Sequence, residues 1–449
     1  MREAAALRED AGVVGSSVSY VPMRRYAAGY AALGAACFAG VLLYAVGFMS
    51  GSVSRWSSFA VVCREGVALP ALFAALAAAL LCRQFDAANV AVGRVASRDP
   101  ARIWAYQLRW ISSAALLGYA AGLLPLAIRL ARRATWGGPD MLAVVDGCMA
   151  LCFLVALAMT LGILFTGRWK IVIVPVLVML AMVSLLLANE FALVDTGRSS
   201  LLFSPVWNDE TPYLGYRITM TAHGLRILFY AVLVMLNVWV STRRLRGDRI
   251  ATDPPTWIMT AAVTASIALS MLLSPLLVGR TPFIMDCKRI ASGSTLCLHP
   301  ADDSVRGEIT AAVNKTAALL ADGPTVFSEY VPNGGEAAGV LFTIPVDGRS
   351  NVDADQLVAG LVSQLIMPES MCAFSSQSTQ TALGLVRQEA DRRLGAGDGN
   401  ESISDGESKS AAKTPGSGFT TMNDDQFTTW LGRHRTAIRT CAIKEDDLP

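Results

Sequence analysis

Residues Trp257 to Val278 read WIMTAAVTASIALSMLLSPLLV. The stretch carries no charged side chain and is long enough to cross a bilayer as a helix, which takes about 20 apolar residues. Before it, long apolar runs alternate with short basic loops. After it, the chain turns acidic, polar and cysteine-bearing and holds no further run of that length. The stretch therefore reads as the last membrane crossing, joining two halves of different chemistry. The expected fold is an α-helical polytopic membrane protein of about seven transmembrane helices with a C-terminal α+β extracytoplasmic domain.

Composition agrees. Hydrophobic residues make up 53% of the chain and charged ones 16%, against about 25% charged in soluble domains. The charge is sorted: residues 1–279 carry a net +9 and residues 280–449 a net −7. Cytoplasmic loops of membrane proteins collect Lys and Arg, so the basic half follows from topology and implies no nucleic-acid partner.

Working outward, residues 1–25 form a polar cytoplasmic tail. Residues 1–20 have no apolar core, so no signal peptide is expected. The bundle occupies residues 26–278. Its spans read as Tyr26–Met49, Gly66–Leu81, Ile111–Leu130, Met141–Phe165, Ile171–Leu187, Leu225–Val240 and Trp257–Val278. Gly29, Gly34 and Gly40 in the first span imply close helix contact. The links 50–58, 131–140 and 188–222 fall outside. The links 83–110 and 167–170 and the cluster STRRLRGDR (residues 241–249) fall inside. Within the long inner link, Ala101–Trp110 is expected as an amphipathic helix on the membrane surface. The spans read as free of mid-membrane carboxylates, and His223 as an interfacial residue at the mouth of the sixth.

Residues 280–449 form the exported domain, with a low-complexity, disordered loop at 395–418 (GAGDGNESISDGESKSAAKTPGSG). Cys287 and Cys297 bracket a strand–turn–strand pattern around Gly293. Asp303 or Ser304 can cap a helix that buries Val305, Ile309, Val313 and Leu320. Val326–Val331 and Ala338–Val346 read as strands of a hairpin turned at Asn333-Gly334-Gly335. Helices follow from Asp353, over Thr379–Leu394, and near Phe427, Trp430 and Leu431. Four of the nine cysteines lie here. Thiols outside the cytoplasm tend to be oxidised. Of the three possible pairings, Cys287–Cys297 with Cys372–Cys441 is favoured: the first closes a hairpin and the second tethers the last helix across the loop.

No nucleotide-binding P-loop, G-x-S-x-G elbow or H-E-x-x-H zinc motif occurs. CLHPADD (residues 297–303) could be a metal set of Cys297, His299, Asp302 and Asp303, but a turn followed by a helix cap accounts for it with fewer demands. No catalytic residue, cofactor or metal is expected, and the chain does not read as an enzyme.

Residues 24–241, with six spans and a long basic link after the second, resemble the permease-like subunits of ABC-2-type transporters. CLHP near the start of the exported domain, and F-x-x-W-L (Phe427, Trp430, Leu431) followed by Cys441 near its end, are similar to actinobacterial permease-associated membrane proteins of this type. In that family a separate ATPase engages cytoplasmic loops and surface helices. The resemblance implies an ABC ATPase partner touching Arg102, Trp104, Arg109, Arg243, Arg244 and Arg246. The function expected is the membrane subunit of an ABC-type export or self-protection system. The alternative is a membrane-anchored extracytoplasmic binding or sensor protein for a peptide or cell-envelope ligand, without transport. A seventh span and a large exported domain depart from the family's layout.

Overall fold

The computed structural model describes residues 23–86, 100–196, 216–246, 278–280, 284–321, 323–330, 339–345, 351–366, 376–395 and 417–449. The membrane half comprises α1 (Met23–Ser50), α2 (Trp56–Glu65), α3 (Ala68–Leu81), α4 (Pro100–Arg133), α5 (Met141–Leu164), α6 (Lys170–Thr196) and α7 (Met220–Arg246). Counting α2 and α3 as one crossing, six of these segments are long and apolar enough to span a membrane. The second crossing starts at Trp56, ten residues before Gly66, and is interrupted at Gly66-Val67. Pro70 explains the interruption. Its ring and missing N–H fit best in the first turn of a helix, and α3 restarts just before it.

No separate surface helix forms over Ala101–Trp110. Those residues are the first turns of α4, which runs 34 residues without a break. Pro100 sits at its start, where the missing N–H costs nothing. Ala101, Trp104 and Gln107 are buried, in line with Ile111, Ala115 and Tyr119 further along. One apolar stripe therefore continues from the link into the span, and the segment packs instead of lying on lipid.

Two ends of the bundle can be told apart. Ser52 and Arg55, between α1 and α2, bond to Asn351 and Asp302 of the C-terminal domain. Thr135, between α4 and α5, donates to the Pro300 carbonyl. The links 51–55 and 134–140 thus share the domain end, despite Arg132 and Arg133 beside the second. At the far end, Lys170 Nζ bonds Asp86 Oδ1 at 2.7 Å and the Cys82 carbonyl at 2.9 Å.

β1 (Tyr216–Ile218), just before α7, pairs antiparallel with β2 (Val278–Arg280). Arg246, at the far end, and Val278, at the domain end, therefore lie on opposite faces. The quoted apolar stretch lies outside the described residues, apart from Val278, which opens β2.

Close approach of α1 and α4 depends on glycine. A Cβ on Gly118 would run into the Gly34 carbonyl oxygen, and one on Gly122 into Val41 and the Phe38 carbonyl. Small residues four apart let membrane helices pack backbone to backbone. Gly118→Val is expected to destabilise the bundle by about 2–3 kcal/mol, the cost of overpacking against an unyielding backbone. Thermal unfolding of the purified protein measures this. Gly29→Val, facing open space, is the control and should change little.

The C-terminal half has a four-stranded sheet, β3 (Asp286–Arg289), β4 (Thr295–Leu298), β5 (Val326–Glu329) and β6 (Val340–Phe342), in that order. β3 and β4 form the expected hairpin, turned at Gly293 with φ +76°. Cys287 and Cys297 face each other across it and are disulfide-bonded. Cys441 is also disulfide-bonded; Cys372, with which the sequence pairs it, lies outside the described residues.

The hairpin expected between β5 and β6 does not form: the two strands are parallel, with Phe327 opposite Val340. The Asn-Gly-Gly signal lies outside the described residues. Gly339 (φ +90°) packs so tightly on the Val326 carbonyl that no Cβ fits.

Helices α8 (Arg306–Leu320), α9 (Ala354–Ile366), α10 (Gln377–Leu394) and α11 (Asp424–Arg439) complete the domain. The cap before α8 falls one turn earlier than expected. His299 Nδ1 accepts from the Ala301 N–H at 3.1 Å, starting a 3₁₀ turn (Pro300–Val305) that leads into α8. Asp353 and Ser376 start α9 and α10, and an Asn423–Gln426 capping box starts α11. Val305, Ile309, Val313 and Leu320 join Leu357, Leu361, Phe427 and Leu431 in one core. Val53, from the link between α1 and α2, is buried in that same core. Gly395 ends α10 in a left-handed cap; residues 396–416 lie outside the described residues.

Candidate functional site

The domain end of the bundle holds a buried charged cluster that the sequence reading passed over. Asp140 caps α5, its Oδ1 accepting from the Leu142 and Ala143 N–H groups at 3.1 and 3.2 Å. Asp146, less than two turns further in, is fully buried. His223, Arg226 and Tyr230 recur at three and four residues along α7, and so share one face. All three are buried. His223 Nδ1 lies 2.5 Å from Asp146 Oδ2, and its Nε2 lies 3.3 Å from Asp140 Oδ2. The first is a hydrogen bond; the second is a charge contact without hydrogen-bond alignment. Arg226 Nε is 3.3 Å from Asp146 Oδ2, and its guanidinium stands 5.7 Å above the Tyr230 ring.

Arg64, at the end of α2, adds a second buried guanidinium, which acts electrostatically on Asp140 and Asp146. Gly147 makes room beside Asp146. A Cβ there would collide with the Tyr119 hydroxyl and the Cys63 carbonyl, which are hydrogen-bonded to each other. The cluster therefore sets two carboxylates against two guanidinium groups and an imidazole.

This corrects two expectations. The fourth span does carry a carboxylate, Asp146, and His223 is buried in a polar network instead of sitting at the interface. Ionisable side chains inside a membrane bundle are costly and mark functional sites by default. Asp146 within 141–165 and Arg226 within 225–240 were the signals that could have found it.

A second polar group joins the bundle to the C-terminal domain. Arg55 Nε bonds Asp302 Oδ1 at 2.5 Å, and its Nη2 lies 3.8 Å from Glu329 Oε1. The His299 N–H donates to Glu329 Oε2 at 3.0 Å, and the Trp136 ring meets His299 edge-on at 5.7 Å. Asp302 and Glu329 are both buried. Burial, and then the charge of Asp302, push the Glu329 carboxyl up to about 8. Burial also lowers His299, so this imidazole favours its neutral form.

A carboxyl held above its ordinary value favours the folded state when protonated. Its contribution to folding is fully present below the unfolded value, near 4.5, and is lost as pH rises through about 8. Glu329→Gln is expected to flatten that dependence. The measurement is the pH profile of thermal unfolding for the two proteins.

The residues assigned to ATPase contact all fall at the far end. Arg102 and Arg109 are exposed on α4, whereas Trp104 is buried between helices. On α7, Arg244 and Arg246 are exposed, and Arg243 is half-buried with its guanidinium 5.7 Å from the Trp239 ring. Among the described residues, no group of three or more His, Cys, Asp or Glu side chains is placed to hold a metal ion. No family model, curated protein or solved structure matches the chain.

Proposed function

We propose that the chain is the permease-like membrane subunit of an ABC-type export or self-protection system whose ATP is hydrolysed by another chain. The observation that carries this reading is the far end of the bundle. There α4 and α7 present exposed Arg102, Arg109, Arg244 and Arg246, a cationic face opposite the disulfide-bonded domain. Disulfides persist mainly outside the cytoplasm, which supports a cytoplasmic arginine face. The chain has no P-loop of its own. A seventh crossing over residues 257–278 fits the opposite placement of Arg246 and Val278.

Affinity purification of the tagged protein from its native membrane in mild detergent tests this. ATP hydrolysis should co-purify, and charge reversal at Arg102, Arg109, Arg244 and Arg246 should lose it. Recovery of the intact protein without any ATPase would count against the reading.

A second reading is favoured by the junction at Arg55, Asp302 and Glu329. A domain fixed to two bundle links is suited to passing on the capture of a peptide or cell-envelope ligand. Cross-linking that trapped such a ligand on the domain, with no ATPase in the same preparation, would favour it.

A further inference from the structure

We propose that Asp302 and Glu329 hold one shared proton between them, and that this proton fixes the 3₁₀ turn to which both bundle links are tied. The inference stands on the meeting of these two side chains and is independent of whether an ATPase partner exists.

The two acids come from different elements. Glu329 ends β5, and Asp302 lies in the turn Pro300–Val305. The side chain of Asp302 is fully buried and that of Glu329 is 5% exposed. Their carboxyl groups are within hydrogen-bonding reach of each other. Two carboxylates are acceptors only, so a bond between them requires a proton on one. Two like charges this close and this dry do not both ionise, and the pair keeps a single proton.

The surroundings decide which acid carries it. Arg55 Nε bonds Asp302 Oδ1 at 2.5 Å, whereas its Nη2 stands 3.8 Å from Glu329 Oε1. The guanidinium therefore favours the anion on Asp302 and leaves the proton on Glu329. His299 does not compete for it. The imidazole Nδ1 accepts from the Ala301 N–H and so carries no proton, and burial favours the neutral ring. From β6, Phe342 stands opposite Glu329, and from the link 134–140 the Trp136 ring meets His299; neither is charged. Glu308, exposed on α8, accepts from the Ser52 hydroxyl at 3.4 Å. With the proton in place, the charges of Arg55 and Asp302 cancel.

The proton leaves to water or hydroxide in the surrounding solution, and only the O–H bond of Glu329 breaks. Two anions then share one guanidinium and repel each other across the gap between β5 and the turn. β5 is held in the sheet between β4 and β6, so the turn is the part that yields. That turn carries both tethers. Asp302 binds Arg55 of the link 51–55, and the Pro300 carbonyl accepts from the Thr135 hydroxyl of the link 134–140. The charge state of one carboxyl thus acts on both links at once. Burial, and then the charge of Asp302, place the loss of the proton at about 8. The turn is held at neutral pH and released on the alkaline side.

The test is infrared difference spectroscopy on the full-length protein in lipid nanodiscs, with pH stepped across the value of about 8. A protonated-carboxyl band should disappear from the wild type, and Glu329→Gln should abolish that loss. Asp302→Asn removes both the like charge and the partner acid, and should lower the midpoint by about one pH unit or more. A carboxyl raised by burial alone would keep its midpoint in this variant, which also decides the matter if Glu329→Gln fails to fold. A spin label at the exposed Ser304 position of the turn, introduced by Ser304→Cys, should gain mobility over the same step, and not in the Glu329→Gln background. A wild type that loses no band, a loss that survives Glu329→Gln, or an unmoved midpoint in Asp302→Asn overturns the shared proton. A label whose mobility ignores the step overturns its hold on the turn.

Discussion

Arg55→Ala is expected to loosen the C-terminal domain from the bundle and to destabilise the protein by about 3 kcal/mol, the low end for stripping a buried carboxylate of its partner. Arg55 is the only cation that the described geometry places in ion-pair contact with Asp302 and Glu329. Without it, two buried acids face each other with nothing to offset their repulsion. The fully buried Asp302 is the more exposed to this loss, since Glu329 can take a proton. Adding Asp302→Asn and Glu329→Gln to Arg55→Ala should recover most of the stability, because neutral amides no longer need the guanidinium. Unfolding of the wild type, Arg55→Ala, the Asp302→Asn/Glu329→Gln pair and the triple variant as a double-mutant cycle isolates the coupling. A Ser52→Cys/Asn351→Cys pair reports docking directly, since the Ser52 N–H bonds the Asn351 side chain at 3.2 Å. Cross-linking should fall in Arg55→Ala; an unchanged yield together with an unchanged melting temperature would refute the assignment.

Arg393→Met is expected to cost about 3–5 kcal/mol, the penalty for removing one partner of a buried, hydrogen-bonded charge set. Arg393 is nearly buried at the end of α10. It bonds Glu389 Oε1 and Asp424 Oδ1 at 2.6 Å each, and the Phe419 and Met422 carbonyls at 2.8 Å each. Its guanidinium also covers the Phe427 ring at 4.7 Å. One side chain thus clasps α10, the Ser417–Thr421 turn and the start of α11. Arg393→Lys should recover little of the loss, because an ammonium cannot match the planar fork of five donors. Fluorescence of Trp430, packed 4.8 Å from Phe419, reports release of α11. Retention of wild-type fluorescence and protease resistance in Arg393→Met would rule the clasp out.

The two acids at these sites respond to pH in opposite directions. Burial raises Glu389, but hydrogen bonds from Arg392 and Arg393 outweigh it and hold the carboxyl below its ordinary value. Its contribution is present above that ordinary value and is lost on acidification. Acid therefore weakens the clasp of α10 and α11 while it favours the fold around Glu329.

Much of this architecture is legible in the sequence. Six crossings announce themselves as long apolar runs, and the helix start at Asp353 stands where side-chain chemistry requires it. The stripe from Val305 to Leu320 is a helical period that survives into the core. What was not legible depends on neighbours distant in sequence. Asp146 is one carboxylate in a 24-residue apolar helix; averaging over the run hides it, and only its meeting with His223 and Arg226 gives it meaning. Trp104 read as an ATPase contact on a surface helix because the residues that bury it lie on other helices. The parallel pairing of β5 and β6 overrode a local turn signal, as tertiary context does with strand preference.

Val53 has a consequence for how the molecule is made and cut. This residue of the first interhelical link is buried in the same core as Leu296, Leu298 and Phe342. The ribosome delivers the plug long before the socket exists, so the last third of the chain can close only around something already parked at the lipid boundary. Excised as a soluble fragment, that third would carry an open greasy hole, and adding back a short peptide spanning residues 50–56 is the natural way to stop it.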